Sequence, residues 1–193
     1  MIYIFRYPEV DMMSDARTLR AVRMESGECT HVEDDFGYQL TFMADAREIL
    51  RDLAEDDGWK DTVVVYVSRT TEIESAEMCL SHLHVCYGGV GSGSTMEDVS
   101  HHKEIYPGSK VNHFLAIRDV FPDIPFHSMV FFDNERRNTS EVSSELGVIS
   151  VWTPKGLTRR AFDLGLQSHE HVQECIRKGK KRDARKYMHV SDR

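Results

Sequence analysis

Two apolar runs stand out in a largely polar chain. Val63-Val64-Val65-Tyr66-Val67 ends at Ser68, and Met129-Val130-Phe131-Phe132 ends at Asp133. Continuous runs of this length, rich in β-branched and aromatic side chains, predict strands buried on both faces, as in a parallel sheet. Elsewhere the apolar positions recur at helical spacing. Phe42, Ala46, Ile49, Leu50 and Leu53 predict a helix over about 44–55, ended by Asp56-Asp57-Gly58. Ile73, Ala76, Leu80 and Leu83 form one helical face, with Thr71 and Glu74 spaced as a capping box. Ser109 is placed to cap a helix that turns Val111, Phe114 and Leu115 inward. A helix over about 139–146 stops at Gly147, and 148–152 reads as a strand. Leu157 and Phe162 flank Thr158 as a hydrophobic staple does, opening a last regular helix.

The first forty residues follow a different pattern. Ile2 to Phe5 reads as a short strand, and Pro8 breaks regular structure after it. From Thr18 to Phe42 the chain is polar, with turn signals at Ser26-Gly27 and from Asp34 to Gly37. Tyr38, Leu40 and Phe42 alternate with Gln39 and Thr41, which fits a half-buried strand in a small β-hairpin flap over 18–42. Strand and helix alternate from Ala44 onward. That order predicts an α/β fold with a Rossmann-like, doubly wound and mainly parallel sheet. A single domain over 1–175 and a basic tail over 176–193 is the expected organisation.

Composition bounds this picture. The chain has 193 residues, enough for one full hydrophobic core. No stretch approaches the roughly 18 apolar residues that span a bilayer, and the N-terminus lacks the basic start of a signal peptide. A cytoplasmic or nuclear location follows as the expectation. Cys29, Cys79, Cys86 and Cys175 make no Cys-x-x-Cys pair, so free buried thiols are favoured over zinc. Net charge is −8, unevenly spread. Arg177 to Arg193 holds eight Lys/Arg against two Asp/Glu, a local +6 that leaves −14 on the rest. An acidic body argues against nucleic-acid binding by the fold. The basic end reads as solvated, partly disordered or helical, with no partner identified.

Small polar residues at the carboxyl ends of buried parallel strands gather at one sheet edge, where open α/β sheets bind ligands. Ser68 stands at such an end just before a helix, and its hydroxyl and neighbouring N–H groups suit a phosphoryl oxygen. Arg69 can fork onto the same oxygens. Lys110 follows the Pro107-Gly108 turn, in the first turn of a helix whose macrodipole it opposes. A residue that breaks a local rule hints at function. Asp133 offers an oxygen ligand to a hard metal such as Mg²⁺. Other constellations are weaker. Gly88 to Ser94 lacks the Gly-Lys-Ser/Thr of a P-loop and reads as a flexible loop. His101-His102 and His82-x-His84 lack metal-site spacing and read as exposed histidines. No Gly-x-Ser-x-Gly elbow surrounds Ser68, and no convincing Ser-His-Asp order appears.

Taken together, Val67-Ser68-Arg69-Thr70-Thr71-Glu72, Glu104-Ile105-Tyr106-Pro107-Gly108-Ser109-Lys110 and Met129 to Glu135 with Asn138 resemble the haloacid-dehalogenase-like (HAD) superfamily. More closely, they are similar to its eukaryotic magnesium-dependent phosphatases. Leu146-Gly147-Val148 and Gly156-Leu157-Thr158-Arg159 continue the likeness, which covers about Gly37 to Leu166. The resemblance implies a Rossmann-like sheet and hydrolysis of phosphomonoesters through an aspartyl-phosphate with Mg²⁺. It implies that Ser68 and Arg69 hold the phosphoryl group, that Lys110 is catalytic by neutralising its charge, and that Asp133 binds Mg²⁺. The substrate it implies is a phosphorylated small molecule or a phosphoprotein, such as a sugar phosphate or a protein-tyrosine phosphate. One part of the family pattern is missing. The first strand should end in Asp-x-Asp, but this chain opens Met1-Ile2-Tyr3-Ile4-Phe5-Arg6-Tyr7-Pro8-Glu9. If Tyr7-Pro8-Glu9 corresponds to the Trp-x-Pro-Glu-like string of some relatives, the aspartates fall at or before Ile2. Glu9, Asp11 and Asp15 are the acidic substitutes at hand. Two expectations follow: a phosphatase whose N-terminal part is incomplete here, or a pseudophosphatase that binds phosphate or a partner.

Overall fold

The computed structural model describes the backbone of residues 2–5 and, in full, residues 18–25, 27–86 and 93–192. The chain lays down β1 (Ile2–Phe5), β2 (Arg20–Arg23), β3 (Cys29–Glu33), β4 (Gln39–Leu40), α1 (Ala46–Glu55), β5 (Val63–Ser68), α2 (Ile73–His82), α3 (Met96–Val99) and β6 (His102–Ile105). It continues with α4 (Lys110–Val120), β7 (Met129–Asp133), α5 (Arg136–Leu146), β8 (Ile149–Trp152), α6 (Arg159–Arg177), α7 (Lys181–Ala184) and β9 (His189–Ser191). Six strands form one parallel sheet in the order β6-β5-β1-β7-β8-β9. The remaining three form a small antiparallel sheet, β2-β3-β4. This is the predicted doubly wound α/β fold with an N-terminal flap.

The alternation within the strands explains why helices cover both faces. Val64 and Tyr66 of β5, Val130 and Phe132 of β7, and Ile149 and Val151 of β8 share a core with Ile49, Leu50, Ala76, Leu80 and Phe162. Val65, Val67, Met129 and Phe131 point the other way, into a core with Phe114, Ile117 and Val142. So α1, α2, α3 and α6 lie on one face, and α4 and α5 on the other. Continuous apolar strands are what a sheet covered on both sides requires. α6 approaches its face closely: a Cβ on Gly165 would stand 2.8 Å from Phe132 Cζ and 3.0 Å from Val130 Cγ1.

β1 is the centre of the sheet. Ile4 is opposite Phe131, two residues before Asp133, and Phe5 is opposite Tyr66, two residues before Ser68. The chain builds β5 and β6 on one side of β1, then crosses to build β7, β8 and β9 on the other. That reversal opens a crevice at the carboxyl ends of β5 and β7, the place where such sheets bind ligands.

The structure corrects several local expectations. Thr71 and Glu74 form no capping box. Glu72 is the N-cap of α2, without a side-chain cap bond, and Ile73 is exposed. A capping box is formed instead by Thr95 with Asp98, ahead of α3. Leu115 is exposed, while Phe114 is fully buried, because the helix turns 114 and 117 to the sheet. The alternating segment 38–42 pairs only at Gln39–Leu40, and Tyr38 is exposed. The basic end is not a free tail. α6 runs through residue 176, and His189–Ser191 adds the sixth strand, held by Ser150 N–H and Ser143 Oγ–H donating to Met188 O. The glycine run at 88–92 lies outside the described residues, as do Glu9, Asp11 and Asp15. Among the described residues, no helix is long and apolar enough to cross a membrane.

Candidate phosphate site at the sheet edge

Ser68 closes β5 and is buried. Its hydroxyl accepts a hydrogen bond from Thr70 N–H at 3.3 Å, and Thr70 Oγ1 accepts from Glu72 N–H at 3.0 Å. Two successive hydroxyl-stabilised turns therefore lead the chain from the strand into α2, with local side chains taking the role a cap would have. Ser68 O is held as well, by Tyr106 N–H at 3.2 Å.

Lys110 opens α4 behind its N-cap Ser109, whose hydroxyl accepts from Val111 N–H at 3.1 Å. The side chain is 0% exposed. Its Nζ donates to Val67 O of β5 at 2.7 Å and lies 6.0 Å from the ring centre of Phe131 in β7. The ammonium therefore sits in front of β1, between the two strands that flank it. Removing an ammonium from water is expensive unless other groups compensate. Lys110 is therefore not a solvated surface lysine.

Asp133 closes β7 and is 1% exposed. Glu135 N–H donates to its Oδ1 at 2.6 Å, Asn138 Nδ2–H donates to its Oδ2 at 3.0 Å, and Thr153 N–H binds its backbone carbonyl. Asn138, fully buried in the first turns of α5, also accepts from Arg69 Nη1–H at 3.0 Å. Arg69 Nη1 is 3.8 Å from Glu135 Oε2. A single amide thus joins the guanidinium at the end of β5 to the carboxylate at the end of β7. Arg69 Nε is buried with no hydrogen-bond partner, an unmet donor at the site.

An apolar cleft of about 70 Å³ adjoins Asp133, Asn134 and Thr153. Thr41 and Phe42 of the flap and Met43 just after it, with Leu50, Leu83, Met96 and Leu157, make its walls. Gly156 lets the walls close: its φ is +90°, and a Cβ there would stand 2.9 Å from Met43 Cβ.

Ser68, Arg69, Lys110 and Asp133, separated by up to 65 positions in sequence, therefore meet at one edge. Asn138 belongs with them, and its only sequence signal was its place in the string after Asp133. The histidine pairs do not join the site. His101 Nδ1 accepts from Val64 N–H, His102 pairs with Glu104 at 2.7 Å, and His84 contacts backbone groups. Among the described residues, no group of three His, Cys, Asp or Glu could hold a metal ion. The central strand brings no carboxylate: β1 is Ile-Tyr-Ile-Phe, with Phe5 at the site edge and Ile2 at the far end. The carboxyl end of β1, at Phe5, is the end that reaches the site, and Tyr7-Pro8-Glu9, from which the register of the aspartates is drawn, lies outside the described residues.

The sequence profile of the acid phosphatase family matches residues 7–172. The chain belongs to the acid phosphatase family. Over 106 residues, 55% of this chain, it is 37% identical to human Magnesium-dependent phosphatase 1, covering 53% of that protein. Over 105 residues it is 32% identical to a HAD-like hydrolase superfamily protein of Schizosaccharomyces pombe, covering 57% of it. The chain spans about half the length of the curated relatives it matches. Membership in the acid phosphatase family and the HAD-like fold accord with the resemblance read from the three strings.

Proposed function

We propose that this chain is the phosphate- and Mg²⁺-binding body of a phosphomonoester phosphatase. One observation carries the reading: a fully buried ammonium, Lys110, lies between β5 and β7 at the edge that also holds Ser68, Arg69 and Asp133. Ser68 and Arg69 hold the phosphoryl oxygens there. Lys110 neutralises charge that develops on them, which a site shielded from water makes worth more. The names of the two relatives, a magnesium-dependent phosphatase and a HAD-like hydrolase, support the same reading.

The residues fit Mg²⁺. The ion takes one or two carboxylates and completes its shell with water and phosphate oxygens. Asp133 is one buried carboxylate facing a cleft, with Asn134 beside it. Asp133 would hold the ion, directly or through water, and the ion would supply charge stabilisation to the phosphoryl group. The substrate is a phosphorylated small molecule or a phosphoprotein. The free cysteines and acidic body support a reducing compartment, cytoplasm or nucleus, and no nucleic-acid partner for the fold.

A second reading, binding without turnover, is favoured by the composition of β1. Its four residues supply neither the nucleophilic nor the acid/base aspartate. Hydrolysis of an aryl phosphate with Mg²⁺, measured beside vanadate binding, tests both. We expect turnover at no more than background, and vanadate binding roughly tenfold or more weaker in Lys110→Ala. Fast Mg²⁺-dependent turnover lost in Asp133→Asn would sink the second reading. Equal vanadate affinity in wild type and Lys110→Ala would sink both.

A further inference from the structure

His113 is fully buried one turn beyond Lys110, and its ring is surrounded by hydrogen-bond acceptors alone. Nδ1 lies 2.8 Å from Ser109 O. Nε2 lies 2.9 Å from Tyr106 O and 3.1 Å from Ser68 O. A backbone carbonyl can only accept. A neutral imidazole has one N–H and one lone pair, so one of its nitrogens would face a carbonyl oxygen lone pair to lone pair. The doubly protonated ring meets every one of these contacts as a donor, with Nε2–H shared between two carbonyls.

The surroundings favour a cation as well. The ring stacks on Tyr106, with centres 4.0 Å apart and planes 7° from parallel. An aromatic face attracts a positive charge. Ser109, whose carbonyl faces Nδ1, donates its hydroxyl to Glu141 Oε1 at 3.1 Å. Glu141 Oε2 is buried without a hydrogen-bond partner, so α5 brings a counter-charge to the same residue. From the β6 side, Glu104 bonds the Tyr106 hydroxyl and pairs with His102. Within α4 the nearest cation is Lys110, one turn away and directed to Val67 O instead.

We propose that His113 is held as an imidazolium and acts as a positioning residue for the phosphate site. Its three donated bonds tie the carboxyl end of β5 at Ser68, the turn after β6 at Tyr106, and the N-terminus of α4 at Ser109. These three segments set the spacing between Ser68 and Lys110. The charged ring adds a second fixed positive charge behind an edge that receives an anion. The assignment of its role rests on the phosphate reading of that edge, but its protonation does not.

Nitrogen-15 NMR of the imidazole side chains of the full chain, at neutral pH and without phosphate, tests it. The His113 signals are assigned by their loss in His113→Gln or, if that variant fails to fold, by cross-relaxation to the Tyr106 ring. Both nitrogens are expected at protonated shifts, each with its own N–H proton. One nitrogen at an unprotonated shift would overturn the proposal. Because no ligand is present, the outcome is independent of whether the chain hydrolyses or binds phosphomonoesters. Where His113→Gln folds, roughly tenfold weaker vanadate binding than wild type is expected. Unchanged affinity would overturn the positioning role.

Discussion

Replacing Asn138 by alanine removes two hydrogen bonds at once, one from Arg69 and one to Asp133, each involving a charged group. Bonds to charged groups contribute about 1.5–3 kcal/mol, and a buried group that loses its partner costs more than the mean. We expect Asn138→Ala to lower stability by about 1–3 kcal/mol in urea denaturation. An unchanged midpoint would show that the amide does not couple the two sides. At this scale the candidate site was largely legible. Ser68 and Asp133 end strands, Lys110 opens a helix and Arg69 follows Ser68 directly, and pattern alone places strand and helix ends. His113 was not legible, and Asn138 only as the last member of the string after Asp133. Both lie within helices, where their sequence neighbours describe an ordinary helical face. Their partners, Arg69 and Ser68, stand 69 and 45 positions away.

Among the elements, α6 sits so close to the sheet that Gly165 has no room for a methyl group. Gly165→Ala gains about 1 kcal/mol of helix propensity. It also overpacks Phe132 and Val130, which costs typically 1–3 kcal/mol. Phe132 is fully buried and its ring has nowhere to go, so the loss wins and the variant should melt below wild type. A higher melting temperature would mean that the α6–sheet spacing is wider than described. The apolar runs predicted β5 and β7, and helical spacing predicted α1 and α2, because in those segments burial and periodicity agree. The elements that escaped were α3, β6 and β9. Each has three or four residues, and β6 (His-Lys-Glu-Ile) is polar enough to read as loop. Its place at the sheet edge explains the polarity, with Lys103 pairing Glu77 at 2.6 Å and Glu97 at 2.7 Å.

The whole molecule carries a pH dependence that no single element has. Burial lowers the proton affinity of His127, His169 and His189, so at these three sites the folded state binds fewer protons than the unfolded chain just below pH ~6.5. Stability therefore falls as pH drops from the unfolded histidine value through the lower folded values, and levels off below them. Glu174 and Asp183, drawn below the usual carboxylate range by bonds to Lys178 and Lys186, act in the same direction at lower pH, weakly because they are exposed. Thermal melts from about pH 7.5 to about pH 5.5 should show a falling midpoint; a rise would contradict the burial of these rings. At this scale sequence and tertiary structure divide cleanly. By itself the sequence determined the alternation of strand and helix, the burial of the sheet on both faces, and which small polar residues end the strands, because these follow from local periodicity. Only the tertiary structure decided that the basic end returns as the sixth strand, and that β1 lies between β5 and β7 with no carboxylate of its own. It alone decided that Lys110 is buried rather than solvated. Strand order and burial depend on which segments meet, and a strand's neighbours stand tens of residues away from it in the chain.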